Sequence, residues 1–203
     1  MESENLSQII PISYYHNTDV VWLAQDLLGK VLCTNILGIE TRAIIVETEA
    51  YNGITDKASH AYGGKRTNRN DAMYRPGGIA YVYLCYGLHH LFNVVTSVEN
   101  DPKAVLIRGI WPLNQLELVL KRRNQIKMKA NLGIGPGKAS QCLGINQTHN
   151  GIDLMGNHIW LENQNLVPAT HQIVVGPRVG VDYAGVDALL PYRFSWKNYP
   201  TKF

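Results

Sequence analysis

The fold of this chain is most constrained by two runs of residues joined by one long loop. In each run the side chains alternate as they do along a β-strand. The first run covers residues 43–51 and the second covers residues 80–87. Successive side chains in a strand point to opposite faces, and both runs are rich in residues that strands favour. The loop between them, residues 52–78, is unusually long, and loops of that size are usually functional. We therefore predict two strands and a functional loop, with a helical turn at residues 71–74.

Other patterns predict short helices and strands around this unit. The run Asn17-Thr18-Asp19 offers an N-cap for a helix over residues 20–28, which Gly29 would end. Residues 30–36 and the run from Thr41 are predicted to form a hairpin about a turn at Leu37-Gly38. The remaining predicted elements are strands at 89–96, 104–110, 159–161, 172–175, 179–181 and 192–196, and helices at 113–125 (with Leu113, Leu116 and Leu120 facing inward) and 135–144. Together they predict an α+β fold, a single domain with a mostly antiparallel, curved sheet and several flanking helices.

The composition fits one domain. The chain has 203 residues, 45% of them hydrophobic, which is enough for one good core. No linker-like segment interrupts it, so we predict one domain over residues 1–203, with residues 1–12 as a disordered N-terminal tail. The polar start and the lack of any apolar run of about 18 residues argue against a signal peptide or a membrane segment. Cys33, Cys85 and Cys142 lack CxxC spacing, so we expect reduced thiols in an intracellular protein.

Positive charge is concentrated in one segment, although the formal net charge is only +3. Residues 118–152 contain no Asp or Glu, but they contain Lys121, Arg122, Arg123, Lys127, Lys129 and Lys138. Such a segment suits phosphate binding, with a solvated helix face as the alternative for residues 121–123. Within it, Gly135-Pro136-Gly137-Lys138 places glycines and a lysine at a helix start, which suits contact with DNA phosphates.

Two carboxylates fall on one face of the first predicted strand. Glu47, Glu49 and Tyr51 share that face, and the glutamate Cα atoms would lie about 6.6 Å apart. Carboxylates at a strand end beside an aromatic ring suit general acid–base chemistry, such as hydrolysis of a glycosidic bond. The alternative is that both glutamates are solvated or paired with nearby arginines.

Aromatic residues are concentrated beside these carboxylates. Six of the eleven tyrosines lie between Tyr51 and Tyr86. Tyr81 and Tyr83 share a face of the second strand, and Tyr86 precedes Gly87 where a turn is expected. Next to a basic loop, such rings suit stacking on nucleobases. Packing in a core is the alternative, above all for Tyr81.

The following strand carries one polar residue in an apolar row. Asn93 lies between Leu91 and Val95 on one face, so it must hydrogen-bond either to the scaffold or to a ligand. His89 and His90 are adjacent and point to opposite faces, so they cannot easily chelate one ion. We therefore predict no metal site.

A set of motifs across residues 30–196 resembles a known family. The motifs are Glu47-Thr48-Glu49-Ala50-Tyr51, His60, Arg69-Asn70, Met73, Arg75-Pro76-Gly77, Tyr81-Val82-Tyr83, Tyr86-Gly87, Asn93, Arg108, Gly135-Pro136-Gly137-Lys138 and Arg178-Val179-Gly180-Val181. They are similar to those of the alkyladenine (3-methyladenine) DNA glycosylases. The resemblance implies a DNA repair enzyme that flips an alkylated or deaminated purine out of duplex DNA and hydrolyses its N-glycosidic bond, leaving an abasic site.

The resemblance also implies a role for each site residue. Glu49 would be the general base, and Arg108 and the main chain near Val181 would help to hold the attacking water. The base pocket would consist of Tyr51, His60, Tyr83, Asn93 and Val181, with Asn93 as a steric gate against the amino group of guanine. Tyr86 would intercalate into DNA. The DNA backbone would contact Arg66, Arg69, Gly135, Gly137 and Lys138.

The same resemblance implies no metal, no cofactor and no lyase step. The expected partner is double-stranded DNA that contains damaged purines. The protein is expected to act as a monomer and not to bind a membrane. If the source is bacterial, the expected location is the cytoplasm, in association with the nucleoid. The preferred lesion among 3-methyladenine, 7-methylguanine, hypoxanthine and ethenoadenine stays open.

Two other classes stay open as well. A non-catalytic module for damaged or single-stranded DNA would use the same tyrosines and basic residues but would not need Glu49. A glycosidic hydrolase of small nucleosides would use the glutamates but not the basic segment.

Overall fold

The computed structural model describes residues 8–201, and its elements largely follow the predicted order. The strands are β1 (Gln8–Ile9), β2 (Val31–Ile36), β3 (Ile39–Tyr51), β4 (Ala80–Cys85), β5 (His89–Thr96), β6 (Lys103–Pro112), β7 (Ile159–Asn163), β8 (Ile173–Gly176) and β9 (Arg193–Trp196). The α-helices are α1 (Ile12–Tyr15), α2 (Val20–Asp26), α3 (Leu116–Arg122) and α4 (Pro136–Leu143). Short 3₁₀ helices lie at Gly53–Thr55, Tyr62–Gly64, Asp71–Tyr74, Gln147–His149, Thr170–Gln172 and Asp182–Leu189.

All nine strands of the described residues belong to one sheet. Its order is β1-β7-β2-β3-β6-β5-β4, and β9 pairs with both β3 and β8. Every pairing between these strands is antiparallel. The predicted α+β fold with a mostly antiparallel sheet and flanking helices is therefore confirmed. Within residues 8–201, none of the helices has the length and apolar character needed to span a bilayer.

Strand β3 is the centre of the sheet because it changes partner along its length. Its first half forms the predicted hairpin with β2, in which Val31 lies opposite Ile44. Its second half pairs with β9 instead, so that Glu49 lies opposite Arg193. On its other edge β3 pairs with β6 over most of its length. The end of β3 that carries the glutamates is therefore held between β6 and β9.

Helix α2 packs on the sheet through one apolar face. Val20, Leu23 and Ala24 are buried, and the Thr48 hydroxyl of β3 donates to the Ala24 carbonyl at 2.5 Å. As predicted, Asp19 caps the helix: its Oδ1 accepts from the N–H groups two and three residues later, at 3.1 and 2.9 Å. The cap and the buried face explain why this short segment is helical.

Four predictions differ from the structure. Helix α3 starts later than residue 113 because β6 continues to Pro112 and the Leu113 N–H still donates to a β3 carbonyl, at 2.9 Å. Its buried side chain is Val119, whereas Leu116 is 43% exposed, so the predicted inward face is wrong for Leu116. Residues 179–181 are not a strand; they lead into the 3₁₀ helix Asp182–Leu189. Of the predicted N-terminal tail, residues 8–12 lie in β1 and at the start of α1, and residues 1–7 lie outside the described residues.

We expect Asp19→Ala to lower the free energy of unfolding by about 1 kcal/mol, because two N–H groups at the start of α2 lose their acceptor. Urea unfolding followed by circular dichroism would measure it. Asp19→Asn, which retains an acceptor oxygen, is the matched control and should stay near wild type. Equal stability of Asp19→Ala and wild type would show that the cap contributes nothing.

Candidate active site

A cavity of about 640 Å³ lies beside the second half of β3. This volume is within the range of small-molecule binding sites. The predicted site residues that line it are Glu49, Tyr51, His60, Arg69, Tyr83, Tyr86, Asn93, Arg108, Gly135, Gly137, Lys138 and Val181. Residues from distant parts of the chain, all but one of the predicted set, therefore meet at a single cavity.

The Glu49 carboxylate lies on the cavity wall and is held by two hydrogen bonds and one ion pair. Its Oε2 accepts a hydrogen bond from the Tyr51 hydroxyl at 2.9 Å, and its Oε1 accepts one from the Val179 N–H at 2.8 Å. Arg108 Nε lies 3.5 Å from the same Oε1. With these contacts in place Glu49 has no exposed surface, although it lines the cavity.

The surroundings of Glu49 make it a stronger base than a free glutamate. Burial raises the pKa of its carboxyl above the ordinary 4.5, and Arg108, the Val179 N–H and the Tyr51 hydroxyl oppose this shift by stabilising the ionised form. Burial and the nearby Glu49 raise the pKa of Tyr51 well above 10.0, so its hydroxyl remains a donor. A carboxyl that ionises closer to neutral pH is suited to general base catalysis.

Glu47 lies on the same side of β3 as Glu49, as predicted, and is paired with two arginines. Its Oε1 accepts from Arg108 Nε at 3.3 Å and from Arg193 Nη1 at 3.1 Å. For Glu47 the alternative of pairing with nearby arginines is therefore the one observed, and Arg108 contacts both glutamates. Glu47 thus fixes the guanidinium that faces Glu49.

A β-bulge between β3 and β6 lets Arg108 reach the glutamates. Glu47 pairs with Gly109 and Thr48 pairs with Ile107, so Arg108 is the extra residue of β6. Bulges re-aim side chains in this way beside active sites. Gly109 is required opposite Glu47, since a Cβ there would lie 2.9 Å from the Glu47 Cβ.

His60, Tyr81 and Tyr83 form an aromatic part of the wall. The ring centroids of His60 and Tyr83 are 4.7 Å apart, and those of Tyr81 and Tyr83 are 5.3 Å apart. Tyr81 is buried, and its hydroxyl lies 2.7 Å from His60 Nδ1, so it orients the imidazole. Burial lowers the pKa of His60, and the charges of Arg69 and Lys65 lower it further. The imidazole is therefore neutral at neutral pH.

Asn93 is a rigid polar part of the same wall. It is buried, and its Nδ2 donates to the Tyr81 carbonyl at 3.1 Å and to the Leu91 carbonyl at 3.4 Å. Of the two expectations for this buried amide, hydrogen bonding to the scaffold is the one observed. Its position on the wall is consequently fixed before any ligand binds.

Tyr86 stands at the tip of the hairpin between β4 and β5, where it is 90% exposed. Tyr86 and Gly87 have φ values of 50° and 69°, and the Leu88 N–H donates to the Cys85 carbonyl at 3.1 Å. This is the two-residue hairpin turn with positive φ at both central positions. A tyrosine is unfavourable in that backbone region, and such strain is typical of functional sites.

The N-terminal turn of α4 forms another side of the cavity. Gly135 precedes the helix with φ +108°, and its N–H donates to the Arg108 carbonyl at 2.8 Å, which ties α4 to the bulge. Gly137 approaches β5 closely, because a Cβ there would lie 3.0 Å from the His89 Cβ. The positive end of a helix, with Lys138 beside it, favours anions.

The two predicted loop arginines differ in place. Arg69 lines the cavity, with its guanidinium carbon 5.3 Å from the centroid of Tyr83. Arg66 is not one of the described residues that line the cavity. Its Nη2 lies 2.8 Å from Asp71 Oδ1, and its guanidinium carbon lies 4.9 Å from the centroid of the Tyr74 ring. Both side chains are exposed, so contact with the DNA backbone stays a prediction for each.

The main-chain contact to Glu49 comes from the Val179 N–H. Val181, whose main chain is predicted to help hold the attacking water, is buried on the cavity wall. Sequence reasoning missed Val179 because it acts through its N–H, which no side chain encodes. It also missed Tyr183, whose hydroxyl donates to the Ala58 carbonyl at 3.1 Å and which lines the cavity. The only signal for Tyr183 was its place just after the Arg178–Val181 motif.

Residues 13–200 match the model of a family described as methylpurine-DNA glycosylase. The match spans nearly all of the described residues, so the chain belongs to the methylpurine-DNA glycosylase family, in agreement with the resemblance found in its motifs.

Individual relatives agree with this assignment. A protein of Chlamydia felis (strain Fe/C-56) is 46% identical over 187 residues, which are 92% of this chain and 95% of that protein. A protein of Clostridium perfringens (strain 13 / Type A) is 43% identical over 192 residues, covering 91% and 94%. One of Bacillus cereus (strain B4264) is 39% identical over 198 residues, covering 94% and 96%. Each carries the provisional name 3-methyladenine DNA glycosylase.

We expect Glu47→Ala to lower the free energy of unfolding by about 3 kcal/mol, because it leaves two arginines without their buried carboxylate. Chemical denaturation would measure the change. Glu99→Ala, at an exposed glutamate, is the control and should stay within about 0.5 kcal/mol of wild type. A loss no larger than that of the control would mean that the Glu47 network does not hold the site.

Proposed function

We propose that this protein is a DNA glycosylase that removes damaged purines from duplex DNA by hydrolysing their N-glycosidic bond. The observation that carries the proposal is the Glu49 carboxylate on the wall of an aromatic cavity, in a chain of the methylpurine-DNA glycosylase family. The names of the relatives support an alkylated purine, such as 3-methyladenine, as a substrate.

In the proposed mechanism the damaged nucleotide rotates out of the base stack, because the bond to be broken is inaccessible inside the duplex. Tyr86, exposed at the hairpin tip, enters the gap that the nucleotide leaves. The DNA phosphates on either side contact the positive end of α4 and basic side chains near the cavity. The groups proposed for these contacts are Arg66, Arg69, Gly135, Gly137 and Lys138.

The flipped base stacks among Tyr51, His60 and Tyr83. Alkylation makes a purine cationic, and cation–π contacts with electron-rich rings are worth about 0.5–2 kcal/mol. A neutral His60 adds no repulsion to such a base. Asn93, fixed by two main-chain carbonyls, occupies the space that the exocyclic amino group of guanine would need.

Glu49 then acts as the general base. Ionised Glu49 takes a proton from the water that attacks the sugar C1′, and its charge stabilises the positive charge that develops on the sugar. Arg108, whose Nε lies 3.5 Å from the Glu49 carboxylate, is close enough to help hold this water. The main chain near Val181, on the same cavity wall, helps to hold it as well. The proposed reaction uses no lysine nucleophile and leaves an abasic site.

The proposed form is a monomer acting on double-stranded DNA. Since the relatives described above are bacterial, the proposed place of action is the cytoplasm, at the nucleoid.

Incubation with a duplex that carries one hypoxanthine or one alkylated adenine tests the proposal. We expect the wild type to produce alkali-labile abasic sites, and Glu49→Gln to lose this activity while it still binds the duplex, because the amide cannot accept the proton. Glu99→Gln, an exposed glutamate, is the matched control and should retain wild-type activity.

The same experiment separates the other classes. Salt-dependent binding of the damaged duplex without any base release by the wild type would identify a binding module. Release of bases from free nucleosides, without salt-dependent DNA binding, would identify a small-molecule hydrolase.

The rate of base release should fall at acidic pH, because only the ionised Glu49 can take a proton. Burial raises the pKa of Glu49, so the midpoint of the acid limb should lie above the ordinary 4.5. Single-turnover release of 7-methylguanine, which is already cationic, would measure this limb without a contribution from protonation of the leaving group. A rate that stays constant down to pH 4.5 would contradict the assignment of Glu49.

A further inference from the structure

Asp56 and Arg178 form a buried ion pair next to the cavity. Arg178 Nη1 lies 2.5 Å from Asp56 Oδ2, and Nη2 lies 2.8 Å from Asp56 Oδ1. The Asp56 side chain is 2% exposed and the Arg178 side chain is 0% exposed. Neither residue is one of the described residues that line the cavity. The pair joins residues 122 positions apart in the chain.

Each member of the pair is anchored to the main chain of a different segment. Arg178 Nη1 donates to the Ala50 carbonyl at 2.9 Å, at the end of β3. The Asp56 carboxylate accepts from the Asn52 N–H at 2.9 Å and from the Ala58 N–H at 3.0 Å. The pair therefore fastens the end of β3, the start of the long loop and the segment after β8 to one another.

Both uncharged donors to Glu49 lie next to Arg178, one through the main chain and the other through a ring contact. Val179, whose N–H contacts Glu49, is the next residue in the chain. Tyr51, whose hydroxyl contacts Glu49, has its ring centroid 4.9 Å from the Arg178 guanidinium carbon, and Tyr192 lies at 5.2 Å from the same carbon. The guanidinium thus supports the Tyr51 ring by a cation–π contact and fixes the main chain that carries the Val179 N–H.

Stability alone does not explain such a pair. A buried ion pair gives little net stability, because the desolvation of both charges offsets their attraction, and an apolar pair of similar volume often serves equally well. A bidentate guanidinium–carboxylate contact does supply fixed geometry, since its two parallel hydrogen bonds define the orientation of both groups. The geometry that this pair defines is that of the donors to Glu49.

Resting on the proposed function, we propose that Asp56 and Arg178 are positioning residues for the general base: they hold the Tyr51 hydroxyl and the Val179 N–H against the Glu49 carboxylate without touching substrate. Loss of the pair releases both donors. The carboxylate then loses two hydrogen bonds that favour its ionised form, and it accepts protons at higher pH.

The other charged and titratable groups around Glu49 remain in place when the pair is removed. They are Arg108 from β6, Glu47 from β3, and Arg193 from β9, which lies opposite Glu49 in the β3–β9 pairing. Tyr51, which also faces Glu49, is one of the two donors that the variant releases. A change in the titration of Glu49 in the variant therefore reports on the two donors and on the missing Arg178 charge. Arg178→Lys, which keeps the charge but lacks the two-pronged contact, separates these two contributions.

The experiment compares wild type with Asp56→Asn/Arg178→Met, which removes both charges together and leaves no unpaired buried charge. Single-turnover release of 7-methylguanine is measured against pH. We expect the rate at neutral pH to fall about 10²-fold, as misplaced catalytic groups typically cause, and the affinity for the duplex to stay within about threefold of wild type. The acid limb should move upward by about one pH unit, and Arg178→Lys should show a shift in the same direction.

Arg42→Met/Glu162→Gln is the matched control. Arg42 Nη2 and Glu162 Oε2 form a largely buried ion pair between β3 and β7, outside the cavity wall. The control should lose stability without any displacement of its acid limb. If the Asp56/Arg178 variant behaves in the same way, with a folded circular dichroism spectrum and an unmoved acid limb, the proposal is overturned.

A second readout does not depend on catalysis. The Cδ carbon of Glu49, labelled with ¹³C and assigned by its loss in Glu49→Gln, reports the protonation of Glu49 in the protein without DNA. A higher titration midpoint in both the Asp56/Arg178 variant and Arg178→Lys supports the positioning role. This holds even if the wild type releases no base, because the absence of base release would overturn only the proposed function. Equal midpoints in wild type and variants overturn the positioning role. The proposed function is then still supported if the wild type releases the base.

Discussion

The site depends on keeping one carboxylate in a place where it has no exposed surface. Burying an ionised group without partners is costly, and Glu49 has two hydrogen-bond donors and one arginine from three parts of the chain. Tyr51 follows Glu49 on β3, Arg108 comes from the bulge in β6, and Val179 comes from the segment after β8. The carboxylate is thus a point at which β3, β6 and the segment after β8 meet.

The features that sequence predicted well are those in which a local pattern determines the structure. Alternation in β3 places Glu47 and Glu49 on one side, and both contact Arg108. The turn at Leu37-Gly38 and the cap of α2 by Asp19 likewise follow from residue type. The motifs with family resemblance name most of the polar and aromatic side chains that line the cavity, whereas lining residues such as Ala58, Leu91 and Leu106 lie outside them.

The features that sequence did not predict arise from contacts between distant segments. Nothing local marks the change of partner along β3, so the strand that pairs with Glu49 could not be identified. A main-chain donor such as the Val179 N–H has no signature in the side chain, so its contact with Glu49 could not be predicted. The late start of α3 has a similar cause, since β6 continues to Pro112 and the Leu113 N–H still donates to the Arg42 carbonyl of β3.

Strand β9 follows every other described strand in chain order, yet it pairs with the residues at the heart of the cavity. Pairings between such distant segments form late and slowly, because the entropy of closing long loops must be overcome first. During synthesis on the ribosome, the segments that form the cavity therefore emerge long before it can be completed. The pairing of β9 with β3 is thus one of the last steps of folding, and until it forms Glu47 lacks its contact with Arg193.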